Sequence, residues 1–291
     1  NNVVGTLASV PTTWDTYGQA QQRMIENSGW ATSMEHGMGV TPSMTRSLIA
    51  NSVTQFNPVS DVAKRIRMGA MGMETTAGFD WYTSTACHPH TTGLWADYGV
   101  NVVQTSGAAQ SGASILAACT TGDTVKRGDI ISIEGVYNVN PVTKRATNTL
   151  KQFKITADVT ASGASFTLPI DPPIIGPGSQ YQNVSALPGD GADITLWPGT
   201  TFVNAAAKTG ICGIALTPLA FAMAGITLPM PEQGGGVEVA RQQKDPETGI
   251  SISFIRMFDP QSRSWINRFD TLFGFGKLYS DACAVLVASS Q

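Results

Sequence analysis

Between residues 94 and 209 the chain is cut at short intervals by clusters of turn residues, and this constrains its fold more than any other feature. Gly, Pro, Asn and Asp gather at 138–141, 171–178 and 188–193. The apolar runs between them are too short for helices and have strand character. Ile130, Ile131, Ile133 and Val136 follow the turn Arg127-Gly128-Asp129. Phe153, Ile155, Ala157 and Val159 alternate with Lys154, Thr156, Asp158 and Thr160. That period of two turns one set inward and the other to water, as on a half-exposed strand. Residues 166–170 form a further strand. The segment reads as a self-contained β-rich unit.

On either side the pattern changes. The first third reads as mostly helical. Thr12 and Thr13 stand ahead of Trp14 and Asp15, close to a capping box. Trp14, Tyr17, Gln21, Met24 and Ile25 follow at helical spacing, and Gly29 ends that helix. Thr41-Pro42 sets a cap before a proline at the first helical position, with Met44, Leu48 and Ile49 on one face. A third helix is expected over 60–67. Gly69, Gly72 and Gly78 then make a loop before the aromatic stretch 79–82. After the β-rich unit, 211–216 reads as a buried strand and 219–224 as a buried helix started by Thr217-Pro218. Residues 237–242 and 250–257 form a hairpin around Lys244-Asp245-Pro246-Glu247-Thr248-Gly249. Residues 265–269 and 283–288 are short strands. The expected class is α+β, in segments 1–93, 94–209 and 210–291.

Composition narrows the function classes. Charged residues are 13% of the 291, against about 25% in an average soluble protein. So few charges protect a free surface poorly against association. Either much of the surface meets copies of the same chain, or this is a secreted protein rich in small polar residues. The net charge of −3 gives no basic excess of the kind nucleic-acid readers carry. Lys64, Arg65 and Arg67 form the one local basic cluster, expected on a solvated helix face. Cys87, Cys119, Cys212 and Cys283 lie far apart with no C-x-x-C pair, which suits reduced thiols. The first ten residues have no charged start and apolar run of a signal peptide, and the absence of an initiator Met implies processing or a longer parent chain. Residues 211–230 are long and apolar enough to raise a membrane-spanning reading. Gly213, Pro218, Gly225 and Pro229 interrupt them, which favours a buried strand and helix.

The candidate chemical sites each lack partners. Cys87-His88-Pro89-His90 could supply a thiolate beside an imidazole, or three metal ligands. The chain has only 3 His in all, and His36 is the one outside this segment. The other reading is a loop held by its own polar contacts. Arg127-Gly128-Asp129 is an integrin-type tripeptide, but a charged turn is expected before an apolar strand. Gly234-Gly235-Gly236 lacks the Lys-Ser/Thr end of a phosphate loop and suits a hinge. Asn183-Val184-Ser185 fits a glycosylation acceptor, which has no weight without export. Arg268 and Asp270, two apart, share one face of a strand with Phe269 on the other. They are either a surface pair worth under about 1 kcal/mol or part of a contact between subunits. Trp265 and Gly274 belong to the same candidate contact region.

Several stretches together carry a resemblance. One is Arg127-Gly128-Asp129-Ile130-Ile131-Ser132-Ile133-Glu134-Gly135-Val136. It is followed by Val139-Asn140-Pro141-Val142-Thr143-Lys144 and Gln152-Phe153-Lys154-Ile155-Thr156-Ala157. Others are Gly69-Ala70-Met71-Gly72 with Gly78-Phe79-Asp80-Trp81 and His90-Thr91-Thr92-Gly93, the stretch 219–230, and Arg268-Phe269-Asp270-Thr271-Leu272-Phe273-Gly274. In this order and spacing, from about Pro11 to the end, the chain resembles the phage coat proteins of P-twenty-two type.

The resemblance implies an HK-ninety-seven-like capsid fold with peripheral and axial domains, and an inserted β-barrel domain that 94–209 would fit. It implies a structural protein rather than an enzyme, without cofactor or metal. Its partners would be copies of itself as pentamers and hexamers, a scaffolding protein, a portal and a decoration protein. The shell would enclose DNA without reading its sequence, assemble in the host cytoplasm, persist in the virion and need no membrane. Family members carry an N-terminal stretch with an arm, an extended loop and much of a spine helix ahead of the position matching Asn1. Two other readings stay open at this point. One is a thiol- or metal-dependent hydrolase centred on Cys87 and His90. The other is a secreted adhesin-like β module.

Overall fold

The structure is a computed structural model. It describes residues 2–6, 9–27, 35–52, 78–95, 103, 110–197, 207–232, 234, 236–279 and 283–287. The chain divides into two compact units, one of residues 1–218 and 279–291 and the other of residues 219–278.

The first unit opens with β1 (Val3–Gly5), α1 (Trp14–Glu26), β2 (Gly37–Val40), α2 (Pro42–Ser52), β3 (Asp80–Thr83) and β4 (Pro89–Thr91). Its β-rich stretch holds β5 (Gly112–Ala118), β6 (Thr124–Val125), β7 (Ile130–Val139), β8 (Ala146–Ile155), β9 (Val159–Thr160), β10 (Ser165–Ile174) and β11 (Ile194–Leu196). β12 (Thr209–Leu216) returns from it. The second unit follows with β13 (Phe221–Gly225), β14 (Val237–Lys244), β15 (Ser251–Asp259), β16 (Ser264–Asp270) and β17 (Phe273–Lys277), and β18 (Cys283–Val287) rejoins the first.

Two large hydrophobic cores lie in the first unit, with a small third cluster around Val3 and Ile130. A mixed sheet in the order β1-β18-β12-β2-β3, with β4 on β12, packs against the helices. Tyr17, Ala20 and Met24 of α1 and Met44 and Leu48 of α2 bury against Met38, Val40, Phe79, Trp81, Ala215 and Ala284. The second core belongs to the sheet β11-β7-β8-β10-β5. Ile131, Ile133, Phe153, Ile155, Leu168 and Trp95 are buried in it.

Local signals behave unevenly. The amide of Met44 donates to Thr41 Oγ1 at 3.3 Å, so Thr41 caps α2 as expected. Thr13 is the N-cap of α1 but makes no side-chain cap bond, and Asp15 instead accepts from Gln19 Nε2 at 2.8 Å. The capping box is therefore replaced by a one-turn side-chain pair on the exposed helix face. The helix ends at Asn27, earlier than the expected Gly29, which lies outside the described residues. The alternating run 153–160 is not one strand: β8 stops at Ile155 and Val159 starts β9. Between them Asp158 Oδ1 accepts the Arg127 amide at 2.6 Å, and Ala157 is exposed. The helix expected over 60–67, with Lys64, Arg65 and Arg67, lies outside the described residues, as do Gly69 and Gly72.

The buried helix expected over 219–224 is overturned. Residues 221–225 are a strand, paired antiparallel to β17 from Phe221–Lys277 to Gly225–Phe273. Leu219, Phe221 and Met223 are exposed. A segment this short gains little from helical bonds alone, and the apolar partner strand supplies a ladder. No helix among the described residues is long and apolar enough to cross a membrane. The expected hairpin forms: β14 and β15 are antiparallel from Val237–Met257 to Lys244–Ser251, and β16 adds to β15. The described residues are thus mainly strand, with helix confined to α1 and α2, where the expected class was α+β.

Candidate functional site

Two places gather the candidate residues. The first is where the chain passes into and out of the β-rich stretch. β4 pairs with β12 through Thr91–Thr209, His90–Gly210 and Pro89–Ile211. The pairing extends beyond the strands, since the Thr92 amide donates to Lys208 O at 3.0 Å and the Lys208 amide to Thr92 Oγ1 at 3.0 Å.

Asp129 closes this junction. Its side chain is 0% exposed. Oδ2 accepts the amides of Gly93 at 3.0 Å and Lys126 at 2.8 Å. Oδ1 lies 2.9 Å from His90 Nε2. A buried carboxylate needs this many donors, because leaving a charge unpaired in the interior costs several kcal/mol per ion, roughly. Gly93 must be glycine here: a Cβ would sit 2.2 Å from Thr124 O. The sequence reading took Arg127-Gly128-Asp129 as a charged turn and missed that Asp129 faces inward. The signal available was its place immediately before the buried Ile130 and Ile131.

His90 is thus directed at Asp129. Cys87 is not set up as a nucleophile. Its thiol donates to Ser84 O at 3.5 Å, and burial pushes its pKa up, whereas a reactive thiolate needs a lowered one. Cys212, whose amide donates to His88 O at 3.0 Å, is pushed up to about 11 by burial, with Cys87 adding to the shift. Among the described residues none of the four cysteines is joined to another by a disulfide. Among the described residues no group of His, Cys, Asp and Glu could hold a metal. Asn183 is occupied structurally, accepting the Ile175 amide at 2.9 Å and donating to Pro173 O at 2.7 Å.

The second place is the unit 219–278. In the sheet β14-β15-β16, Phe254 lies opposite Phe269, Arg256 opposite Asn267 and Phe258 opposite Trp265. Alternation puts all six on one face. Phe254 and Phe269 rings are 4.9 Å apart and Phe258 and Trp265 rings 5.2 Å apart. Arg256 stacks 4.6 Å above Trp265 and pairs with Glu238 at 3.1 Å. Trp265 is nevertheless 47% and Phe269 71% exposed. On the opposite face Arg268 Nε donates to Asp270 Oδ1 at 2.8 Å, the arrangement expected from their spacing. Gly274 lies on β17 opposite Ala224. A Cβ there would meet nothing within 4 Å. Phe273 and Phe275 beside it are exposed, the latter at 73%. Gly234 and Gly236 have positive φ, and Gly235 lies outside the described residues.

The family described as "P22 coat protein - gene protein 5" matches residues 100–285, more than half of the chain. The chain belongs to this coat-protein family. The solved structure titled "CUS-3 coat protein I-domain" is similar over 40% of this chain and 99% of that one, with 24% identity and a TM-score of 0.24. No curated protein matches. The family is one of structural phage proteins and not a class of enzymes.

Proposed function

We propose that this coat protein associates with copies of itself, as pentamers and hexamers, into an icosahedral shell around DNA. The observation that carries the reading beyond the family is the surface of unit 219–278. Trp265, Phe269, Phe273 and Phe275 are exposed there within one small unit. Apolar patches of this kind mark association sites, and homo-oligomers bury such surface by symmetry. The low charge content fits the same use. Trp265, Arg268, Asp270 and Gly274 are the contact residues in this reading, with Gly274 leaving space for a neighbouring backbone. Residues 94–209 act as a domain inserted into an HK-ninety-seven-like fold. Support for a barrel there is Val103, which bridges to Ala117 of β5 and exchanges bonds with Ala192 and Gly191 beside β11. Scaffolding, portal and decoration proteins are the further partners, and the host cytoplasm is the place of assembly.

Electron microscopy of the protein co-expressed with its scaffold tests the reading. Capsomers or closed shells are expected. Persistent monomers under all conditions would sink it. A hydrolase reading centred on Cys87 and His90 has no comparable support, since His90 is committed to Asp129 and burial pushes the Cys87 thiol pKa up, away from a reactive thiolate.

A further inference from the structure

A cavity of about 340 Å³ lies where the C-terminal end of α1 meets the β-rich stretch. Among the described residues Lys144 and Lys151 line it, together with the amide residues Asn27, Asn138, Gln180, Gln182 and Asn183. Lys151 is only 7% exposed. Its ammonium donates to Asn138 Oδ1 at 3.0 Å. Lys144 is held in the left-handed region at φ 57, and its ammonium donates to Gln182 O at 3.4 Å.

The walls are braced from behind. Asn138 Nδ2 donates to Asn27 Oδ1 at 2.6 Å, and Asn27 Nδ2 in turn donates to Asn2 Oδ1. The turn bearing Lys144 is tied by Asn140 Oδ1, which accepts the amides of Val142 at 2.9 Å and Thr143 at 3.0 Å. The two cationic groups are therefore positioned in advance, at little ordering cost to a ligand.

We infer that this cavity is an oxyanion-binding site, taking a phosphate or carboxylate group between Lys144 and Lys151. Ammonium donors suit such a group, and charge-assisted bonds to it are roughly twice as strong as neutral ones. The volume is at the lower end for small-molecule sites, which begin at about 300 Å³.

The probe is inorganic phosphate, titrated by calorimetry into the purified full chain at constant ionic strength, with chloride as control. Saturable binding at a single site is expected. Lys144→Asn removes the charge while tolerating the left-handed backbone, and should weaken binding at least about tenfold. Lys151→Met keeps the buried volume and should abolish it. Absence of saturable phosphate binding by the folded wild type overturns the inference, as does equal binding by wild type and Lys144→Asn. The free-subunit measurement does not need shells. On assembled particles a second arm separates the sources of the oxyanion. Loss of phosphate binding on assembly indicates an acidic side chain of a neighbouring copy, and retention indicates a free small molecule; both support the site.

Discussion

His90 Nε2 lies 2.9 Å from Asp129 Oδ1, and this contact joins the strand leading into the β-rich stretch to the turn that starts its inner strand β7. Asp129 is the buried partner and His90 the partly exposed one, with side-chain exposures of 0% and 25%. The two should therefore differ in what their removal costs. Asp129→Ala strands two backbone amides and should lose about 2–4 kcal/mol of stability in urea unfolding. His90→Ala removes one donor that water can replace and should cost about 1 kcal/mol or less. Equal costs would show that the carboxylate does not organise the junction.

Gly93 is the second test of the same junction. Gly93→Ala drives a Cβ to within 2.2 Å of Thr124 O, and backbone cannot yield as a side-chain tip can. A loss of about 1–3 kcal/mol or more is expected, read as a lower midpoint of thermal unfolding. Gly163→Ala serves as the control, because a Cβ there meets nothing within 4 Å. It should change stability by no more than about 0.5 kcal/mol.

Trp265 and Phe269 separate folding from association. Both are well exposed in the single chain, so Trp265→Glu and Phe269→Glu should leave the unfolding midpoint of the subunit nearly unchanged. Shell formation followed by light scattering should be slowed or lost. Normal assembly by the double variant would remove this face from the proposed contacts.

Thiol reactivity separates structure from catalysis. With its pKa at about 11, Cys212 should be alkylated very slowly at neutral pH and faster as pH rises toward that value. Cys87 is shifted in the same direction by burial. Rapid, pH-independent alkylation of Cys87 near pH 6 would contradict the arrangement described here.

The β14–β15 turn should weaken in acid. Asp245 accepts bonds from the Thr248 hydroxyl at 2.5 Å and the Glu247 amide at 3.2 Å, and these hold its carboxyl below the ordinary value. Such a group contributes stability only while ionised. Its contribution is complete above the unfolded aspartate value of about 3.9 and is lost as pH falls through the lower folded value. Hydrogen exchange at the Gly249 amide, which donates to Asp245 O at 3.0 Å, should accelerate in that window. Asp245→Asn should flatten the pH response.

How much was legible depended on the range of the interaction. The cap at Thr41, the hairpin around residues 244–249 and the shared face of Arg268 and Asp270 each arise within a few residues, and each forms as its spacing implies. The segment 219–224 was misread because an apolar run has no period of its own at that length. Its strand identity comes from β17, some fifty residues later. The run 153–160 keeps its alternation only through Ile155; Ala157 is exposed, and Asp158 accepts the Arg127 amide where the strand breaks.

The order of motifs along the chain was enough to point to the coat-protein family, and turn chemistry with short apolar runs was enough to mark the stretch that holds β5 to β11 as β-rich. Those properties depend on residue type and local spacing. Tertiary structure alone decided that Asp129 faces inward, that Lys144 and Lys151 share one cavity, and that Trp265 and Phe269 share an uncovered face. Burial and convergence are properties of surfaces brought together from distant parts of the chain. For Asp129 the deciding contacts come from His90 on β4 and from Gly93 just after it, more than thirty residues earlier.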